Sequence, residues 1–346
     1  MPGATRAHFA ALAFCFAAGS AAQAQTQSQA PAEFYAGKSV NLIISTGAGG
    51  GVDANARLVG RYLGNHIPGK PTIVPRNMPG AGHIQATNYM YGQAQKDGTY
   101  IAAILPAFVL HQIIDGAGVQ YDSSKFPWLG ASDVDNMNLY VWKTTGVKTV
   151  ADAKKTEVLM GATGAGSYTI LFPTLMNNLL GTKFKIVTGY KSTNEIHLAM
   201  QRGEVQGRAG NLFASLKSGN GDWLRDGSIN LLVQMGAKRD PEFPDVPLLH
   251  ELATNDEDRR ILNLFEAEAA LGKLFLTTPG IPADRLAVLR SAFEETMKDP
   301  GLLNDAKSMR IDVRPLKHDV LKRIVDDIMK TPPELVAKAK AARGGS

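Results

Sequence analysis

Two stretches of this chain repeat one pattern, in which a short apolar strand is followed by a glycine-rich turn and a helix. In the first, the β-branched run 39–44 ends at the glycines of 47–51, and a helix with one apolar face follows. In the second, the run 158–160 leads into 161–167 and a helical stretch to Leu180, about 115 residues further on. Because short strands alternate with helices, we predict α/β domains with largely parallel sheets.

The same patterns predict the remaining elements and a two-domain organisation. The last hundred residues are predicted to be mainly helical, and 236–247 to be loop-rich. If the chain crosses twice between domains, one domain contains both chain ends and the other the middle. Apolar runs predict strands at 71–74, 100–105, 139–142, 185–187 and 230–234, and helical periodicity predicts helices at 86–93 and 195–201.

The two glycine-rich turns suit an anion. A turn between a strand and a helix points several backbone N–H groups one way, and the helix N-terminus adds partial positive charge. Glycine reaches positive φ cheaply, so a ligand can approach the backbone closely. Asp53 is predicted to be the N-cap of the first helix, and its spacing to Arg57 allows an ion pair. Turns with a purely structural role remain the alternative for each loop.

Nucleotide-binding and catalytic motifs do not match these turns. Neither turn has the Gly-Lys-Ser/Thr of a P-loop, and Val52 stands where a dinucleotide-binding turn needs its third glycine. The seven histidines are scattered without metal-ligand spacing, and His83 beside Gly82 is the one of interest. The simpler interpretation of Glu266 and Glu268 is that both side chains are exposed to solvent. Nothing in the sequence supports them as an acid–base pair. We therefore predict no catalytic residue, no metal site and no cofactor.

The N-terminus has the three parts of a secretory signal peptide. Arg6 precedes an apolar run at 9–18, and Ala22-Gln23-Ala24 provides a cleavage site, which predicts a signal peptide over 1–24. The run is too short for a bilayer core, which needs about 20 residues. The sole cysteine, Cys15, lies within it behind Phe14, which argues against lipid anchoring. A buried apolar helix is the alternative, and 25–32 is predicted to be a disordered leader.

Composition is ordinary for a soluble globular protein, with 44% hydrophobic and 20% charged residues. About 320 residues remain after cleavage, which fits two domains. The net charge of +5 falls to +4 when Arg6 is removed, and the basic residues form no stripe that would suit nucleic acid. A small positive excess suits an acidic ligand.

Several short motifs, each weak alone, are spread over nearly the whole mature chain. They are Tyr35-x-Gly37-Lys38, Gly49-Gly50-Gly51-x-Asp53 with Arg57, Asn77-Met78-Pro79-Gly80-Ala81-Gly82, Asp97-Gly98-Thr99, Gly164-x-Gly166-Ser167, Gly189-Tyr190-Lys191, Gly203-Glu204-Val205, and Lys238-Arg239 with Pro244-Asp245-Val246-Pro247. Together, and in this order, they resemble one family: the Bug-type periplasmic receptors of the tripartite tricarboxylate transporter system.

The resemblance implies a two-lobed, Venus-flytrap periplasmic binding protein, each lobe a mainly parallel sheet flanked by helices. Lobe one would be 33–132 with 237–346, and lobe two 133–236, with crossing segments near 133–138 and 234–238. Asp53 is expected to shape its loop and not to bind the anion directly. The implied ligand-binding positions are Gly49, Gly50, Gly51, Asp53, Ala81 and Gly82 in lobe one, and Gly166, Ser167, Tyr190, Lys191 and Ser192 in lobe two.

Other positions are candidates for ligand specificity. Phe108, Tyr168 and Asn211 lie where the body of a ligand could be sensed, although packing roles are equally open. Two residues depart from the family pattern: Ser192 adds a hydroxyl after Tyr-Lys, and Gln206 stands where many members have Asp.

The implied function is capture of a small carboxylate in the periplasm and its delivery to the subunits of a membrane permease. Such a receptor is expected to be a monomer, and not an enzyme. A receptor that feeds a membrane signalling kinase has the same binding chemistry and remains an alternative. An enzyme acting on a small acid is the least supported hypothesis, because the sequence provides no nucleophile–base pair.

Overall fold

The computed structural model describes residues 1, 3, 30–49, 51–163 and 167–344. The predicted signal peptide, with Cys15 and its cleavage site, lies outside the described residues apart from positions 1 and 3, as do Gly50 and Gly166. The predicted leader ends in a helix that begins at Pro31. Within the described ranges, no helix has the length and apolarity needed to cross a membrane.

Eleven strands and thirteen α-helices occur in the described part of the chain. The strands are β1 (Ser39–Ile44), β2 (Thr72–Asn77), β3 (Tyr100–Ile104), β4 (Trp128–Ala131), β5 (Met137–Trp142), β6 (Val158–Gly161), β7 (Phe184–Val187), β8 (Gly207–Leu212), β9 (Ile229–Met235), β10 (Leu274–Thr277) and β11 (Leu316–Lys317). The helices are α1 (Pro31–Tyr35), α2 (Gly51–His66), α3 (Ile84–Gly92), α4 (Ala107–Ile114), α5 (Val150–Ala153), α6 (Tyr168–Leu175), α7 (Thr193–Gln201), α8 (Phe213–Arg225), α9 (Asp256–Ala269), α10 (Ala283–Thr296), α11 (Pro300–Met309), α12 (His318–Met329) and α13 (Pro333–Ala342).

The strands form two sheets, which confirms the two-lobed α/β fold. One sheet has the order β11-β4-β10-β3-β1-β2, and the other β7-β6-β8-β5-β9. Both sheets are mixed and not mainly parallel: β1 runs parallel to β2 and β3, whereas β10 runs antiparallel to β3 and β4. In the second sheet β6 is parallel to β7 and β8, and β5 is antiparallel to β8 and β9. The antiparallel strands β5 and β10 each follow a passage from the other sheet, so neither completes a strand–helix–strand unit within its own sheet that would impose a parallel direction.

Strand β10 is one of four strands, with β4, β8 and β11, that the sequence pattern missed. All four of its residues are buried, so the run Leu-Phe-Leu-Thr has no alternation to distinguish a strand from a buried helix. Phe275 packs on Phe293 of α10 with ring centroids 5.1 Å apart, in the core that fills the space between the first sheet and its outer helices. Its place between β3 and β4 depends on contacts with residues far away in the chain.

The chain passes from the first sheet to the second through 132–136, and polar contacts hold this passage. Asp133 accepts a hydrogen bond from Lys273 at 2.6 Å, and Arg314 contacts both Asp133 (3.2 Å) and Asp135 (3.0 Å). Asn136 donates to Gln234, at the end of β9, at 2.7 Å. These contacts lie at the predicted crossing segments, and lobe boundaries at 132/133 and 236/237 stay a proposal.

Candidate functional site

A cavity of about 500 Å³ is lined by loops and helices that precede or follow strands of both sheets. Five segments distant in sequence build its wall, so it exists only in the folded chain. The lining comes from the loop after β2 and the start of α3 (Ala81, Gly82, Ile84), from α4 and its end (Ala107, Leu110, His111, Ile114, Asp115), from the start of α6 (Ser167, Tyr168, Ile170, Leu171), from α9 (Phe265, Glu268) and from the C-terminal segment (Lys340, Arg343, Gly344).

The loop after β2 has an unusual backbone. Ala81, Gly82 and His83 have φ of 46°, 60° and 79°, so three successive residues are left-handed. For a residue other than glycine this conformation costs roughly 1–2 kcal/mol. His83 offsets part of that cost, because Nδ1 donates to the Ser45 carbonyl oxygen at 3.2 Å. Burial lowers the pKa of His83, so its ring is neutral at pH 7. His83 therefore ties the loop to the end of β1, and it does not itself line the cavity.

Asp53 holds the turn between β1 and α2. The helix begins at Gly51, so Asp53 lies in its first turn and the N-cap prediction is wrong. Its carboxylate accepts hydrogen bonds from the Gly49 N–H (2.9 Å), Arg57 Nε (2.9 Å) and Asn77 Nδ2 (2.8 Å), which confirms the Asp53–Arg57 pair. Burial raises the pKa of this carboxyl, but these hydrogen bonds outweigh burial and hold the pKa at about 2. Asp53 thus shapes the turn, as the sequence suggested.

The second glycine-rich turn reaches the cavity at Ser167 and Tyr168. Ser167 precedes the first residue of α6, and its Oγ lies 2.6 Å from Thr169 Oγ1, which also accepts from the Thr163 N–H at 3.0 Å. Gly210 has φ of 68°, and a Cβ there would stand 2.6 Å from Tyr168 Cβ. Glycine at 210 is therefore what lets Tyr168 pack against β8.

Tyr190, Lys191 and Ser192 lie in the loop between β7 and α7, and none of them lines the cavity. Ser192 is the N-cap of α7: its Oγ accepts from the Glu195 N–H at 3.3 Å. The Glu195 carboxylate accepts from the Lys191 N–H at 2.7 Å. The extra hydroxyl at 192 thus has a capping role in this conformation, and ligand contacts by these three residues stay a prediction.

Asn211 and Phe108 are buried outside the cavity lining. Asn211 lies on β8, and its Nδ2 donates to Tyr140 Oη at 3.4 Å. Phe108 is fully buried and packs edge-on against Tyr121 and Phe126, at centroid distances of 5.6 and 6.1 Å. The structure therefore gives Phe108 a packing role in the core. Gly49, Gly51 and Asp53 are likewise outside the lining.

Glu268 is the buried acid of the cavity wall, and the interpretation of Glu266 and Glu268 as solvated is wrong. They are 2% and 4% exposed, respectively. Glu266 accepts hydrogen bonds from the His250 side chain (2.7 Å) and two backbone N–H groups. Glu268 accepts one from Tyr168 Oη at 3.1 Å. Burial raises the pKa of Glu268 to about 7, against the lowering effects of the Tyr168 hydrogen bond and the Arg343 charge.

Comparison with known proteins gives two curated relatives. The chain is 27% identical over 299 residues to a UPF0065 protein of Bordetella bronchiseptica, covering 82% of this chain and 77% of the relative. A second UPF0065 protein, from Cupriavidus necator, is 27% identical over 262 residues, covering 71% and 74%. No family model matches the chain.

Solved structures share the fold over nearly the whole chain. A TctC solute-binding protein from Polaromonas superposes with a TM-score of 0.67 at 19% identity, covering 88% of this chain and 99% of that one. The periplasmic binding protein BugD gives 0.62 at 19% identity, covering 88% and 98%. The R. palustris protein Rpa4515 with adipate gives 0.61 at 19% identity, covering 88% and 98%.

The resemblance to the Bug-type receptors is confirmed.

For a chain that resembles Bug-type receptors, the two glycine-rich units are the expected ligand loops. Of the positions that the resemblance nominated, Ala81, Gly82 and Ser167 line the cavity, and so does the specificity candidate Tyr168. Sequence reasoning missed the wall that α4, α9 and α13 provide. Apolar periodicity marks these segments as helices, but no local signal tells that they meet at one cavity.

Proposed function

We propose that this chain is an extracytoplasmic solute-binding protein that captures a small organic acid in the cavity between its lobes. The observation that carries the proposal is that both lobes contribute a loop or helix start to one cavity, Ala81 and Gly82 from one and Ser167 and Tyr168 from the other. Backbone N–H groups at such positions favour a carboxylate. In the proposed division, lobe one is 33–132 with 237–346 and lobe two is 133–236.

A cation on the cavity wall supports an anionic ligand. Lys340 has no ion-pair partner within the described part of the chain, whereas Arg343 is held by Asp115 at 2.5 Å. An unpaired ammonium group beside a partly apolar cavity attracts a carboxylate more strongly than it would in bulk water.

The wider role follows from the same proposal. The chain is exported through its signal peptide, binds acid in the periplasm as a monomer, and delivers it unchanged to a permease of the tripartite tricarboxylate type. The adipate-bound R. palustris structure supports the choice of a carboxylate. The lobes close by bending at 133–138 and 234–238, and ligand affinity derives from contacts that only the closed state makes.

Native mass spectrometry and calorimetry test this proposal. The mature chain is analysed as purified for a retained acid, and then titrated with monocarboxylates, dicarboxylates, tricarboxylates and aromatic acids. The uncharged amides of the same acids are the control. We expect at least one acid to bind with micromolar affinity and its amide to bind at least a hundredfold more weakly. If no acid binds more tightly than millimolar, the proposal fails.

Two further measurements test the fate of the ligand. The acid identified above is incubated with the protein and recovered, and chemical conversion would contradict a receptor without catalysis. Cells that lack this chain should lose uptake of the acid and regain it with the wild-type chain. If uptake is unchanged in these cells, the protein binds the acid but does not deliver it to a permease.

A further inference from the structure

The charged side chains of the cavity wall nearly cancel. Asp115 Oδ2 is 2.5 Å from Arg343 Nη1 and 3.4 Å from His111 Nδ1, so this carboxylate already has a cationic partner in Arg343. Lys340 is left as the cation with no ion pair among the described lining residues, and Glu268 as the acid. A ligand with one negative charge matches Lys340. A ligand with two exceeds what the wall neutralises.

Glu268 is poorly placed to tolerate a second carboxylate. Its side chain is 4% exposed, and among the described residues Tyr168 supplies its single hydrogen bond. Burial raises the pKa of Glu268 to about 7, so above that pH the group is mainly ionised. Two carboxylates in one low-dielectric site repel each other, and one of them must take up a proton for both to remain.

Much of the remaining wall is hydrocarbon. Ile84 of α3 and Leu110 of α4 line the cavity, as do Leu171 of α6 and Phe265 of α9. Covering such side chains with the apolar body of a ligand strengthens binding, about fourfold for each buried methylene.

We infer that the ligand is a monocarboxylate with an apolar body, and that Glu268 determines this specificity by excluding a second carboxylate from the cavity. The inference rests on the proposed function and narrows its class of acid. Glu268 acts here through repulsion and through the hydrogen bond with Tyr168, and the acid is held by the loops and by Lys340.

Matched pairs of acids test this specificity. Hexanoate and adipate have the same chain length and differ in one end group, as do octanoate and suberate. Calorimetry at pH 8 should show each monocarboxylate binding at least tenfold more tightly than its dicarboxylate. Octanoate should bind roughly fifteenfold more tightly than hexanoate, because it buries two more methylenes, each of which contributes about fourfold.

Glu268→Gln removes the charge and keeps the shape and the acceptor for Tyr168. In this variant the affinity for each dicarboxylate should rise at least fivefold more than the affinity for its matched monocarboxylate. Glu266→Gln is the control: it makes the same change at a buried position two residues away on α9, outside the cavity lining. It should leave the ratio of the two affinities unchanged, and thermal unfolding checks that both variants fold.

The outcomes separate the inference from the proposed function. Dicarboxylates that bind wild type as tightly as their monocarboxylates overturn the inference and leave a carboxylate receptor intact. A Glu268→Gln variant that folds and keeps the wild-type ratio also overturns it. If no acid of any class binds, the proposed function fails, and the inference falls with it.

Discussion

The Tyr168 hydroxyl donates a 3.1 Å hydrogen bond to Glu268 Oε1, and the two residues lie 100 positions apart in the chain. The bond joins the first residue of α6, between strands of the second sheet, to α9, which follows the passage back from that sheet. Both residues line the cavity. A movement that separates α6 from α9 must therefore break this bond and open the cavity at the same time.

Replacing Tyr168 with Phe should raise the pKa of Glu268 further. The hydroxyl favours the ionised carboxylate, and without it only the distant charge of Arg343 opposes burial. We also expect a loss of about 1 kcal/mol in the free energy of unfolding. An NMR titration of the Glu268 side-chain carboxyl measures the first effect. Tyr121→Phe is the control, since its hydroxyl donates to the Phe108 carbonyl at 2.7 Å away from Glu268. An unchanged Glu268 titration in Tyr168→Phe would count against the assigned contact.

Glu268 should also make stability depend on pH. Its pKa is raised from 4.5 to about 7 in the folded chain, so the folded state holds this proton more tightly than the unfolded state. The associated stability is fully present below about pH 4.5 and is lost as pH rises through 7, by about 3 kcal/mol. Glu268→Gln should therefore gain that amount relative to wild type between pH 4.5 and pH 8. Urea unfolding at the two pH values measures it, with the exposed Glu257→Gln as control. An equal difference at both pH values would contradict the prediction.

Asp53 should show the opposite dependence. Its pKa is lowered from 3.8 to about 2, so its contribution is present above pH 3.8 and is lost as pH falls towards 2. Asp53→Asn should cost about 1–2 kcal/mol at pH 7, because the amide cannot accept all three hydrogen bonds. It should also weaken acid binding by loosening the turn at Gly49. Chemical unfolding at pH 7 and pH 2.5 measures the change, with the exposed Asp319→Asn for comparison. A cost that does not shrink at low pH would rule out this linkage.

Gly82 and Gly227 form a matched pair for testing the binding loop. They have φ of 60° and 61°, and a Cβ at either would meet nothing within 4 Å. Valine at each position carries a similar backbone cost, on the order of 1–2 kcal/mol or more. Only Gly82 lines the cavity, so Gly82→Val should reduce acid affinity at least tenfold while Gly227→Val leaves it within twofold. Calorimetry measures both affinities, and equal effects of the two substitutions would show that the Gly82 loop does not contact the acid.

Arg314 should stabilise the passage between the sheets. It contacts Asp133 and Asp135, whose side chains are 2% and 1% exposed, and removing it leaves buried carboxylates short of a partner. Arg314→Ala should lower the free energy of unfolding by about 3 kcal/mol. Arg323→Ala, which breaks an exposed pair with Asp319, should cost less than about 0.5 kcal/mol. Denaturant midpoints measure both, and similar costs for the two variants would contradict a special role for Arg314.

The local part of the fold was predictable from the sequence. The strand–glycine–helix units appeared at β1–α2 and β6–α6 because strand and helix periodicity and glycine punctuation are short-range signals. The motifs around Gly82 and Ser167 also led to two segments that line the cavity. The signal peptide remains a prediction from sequence alone.

The site depends on contacts that no short-range pattern encodes. Tyr168 meets Glu268 across 100 residues, and Asp115 meets Arg343 across 228. The chain's two passages between sheets bring these residues together, and β10 takes its place in the first sheet through equally distant neighbours. The sequence by itself determined the two strand–glycine–helix units and most of the other strands, because those choices depend mainly on neighbouring residues. Only the tertiary structure decided that a buried acid faces the ligand cavity, because burial and a raised pKa arise from packing between distant segments.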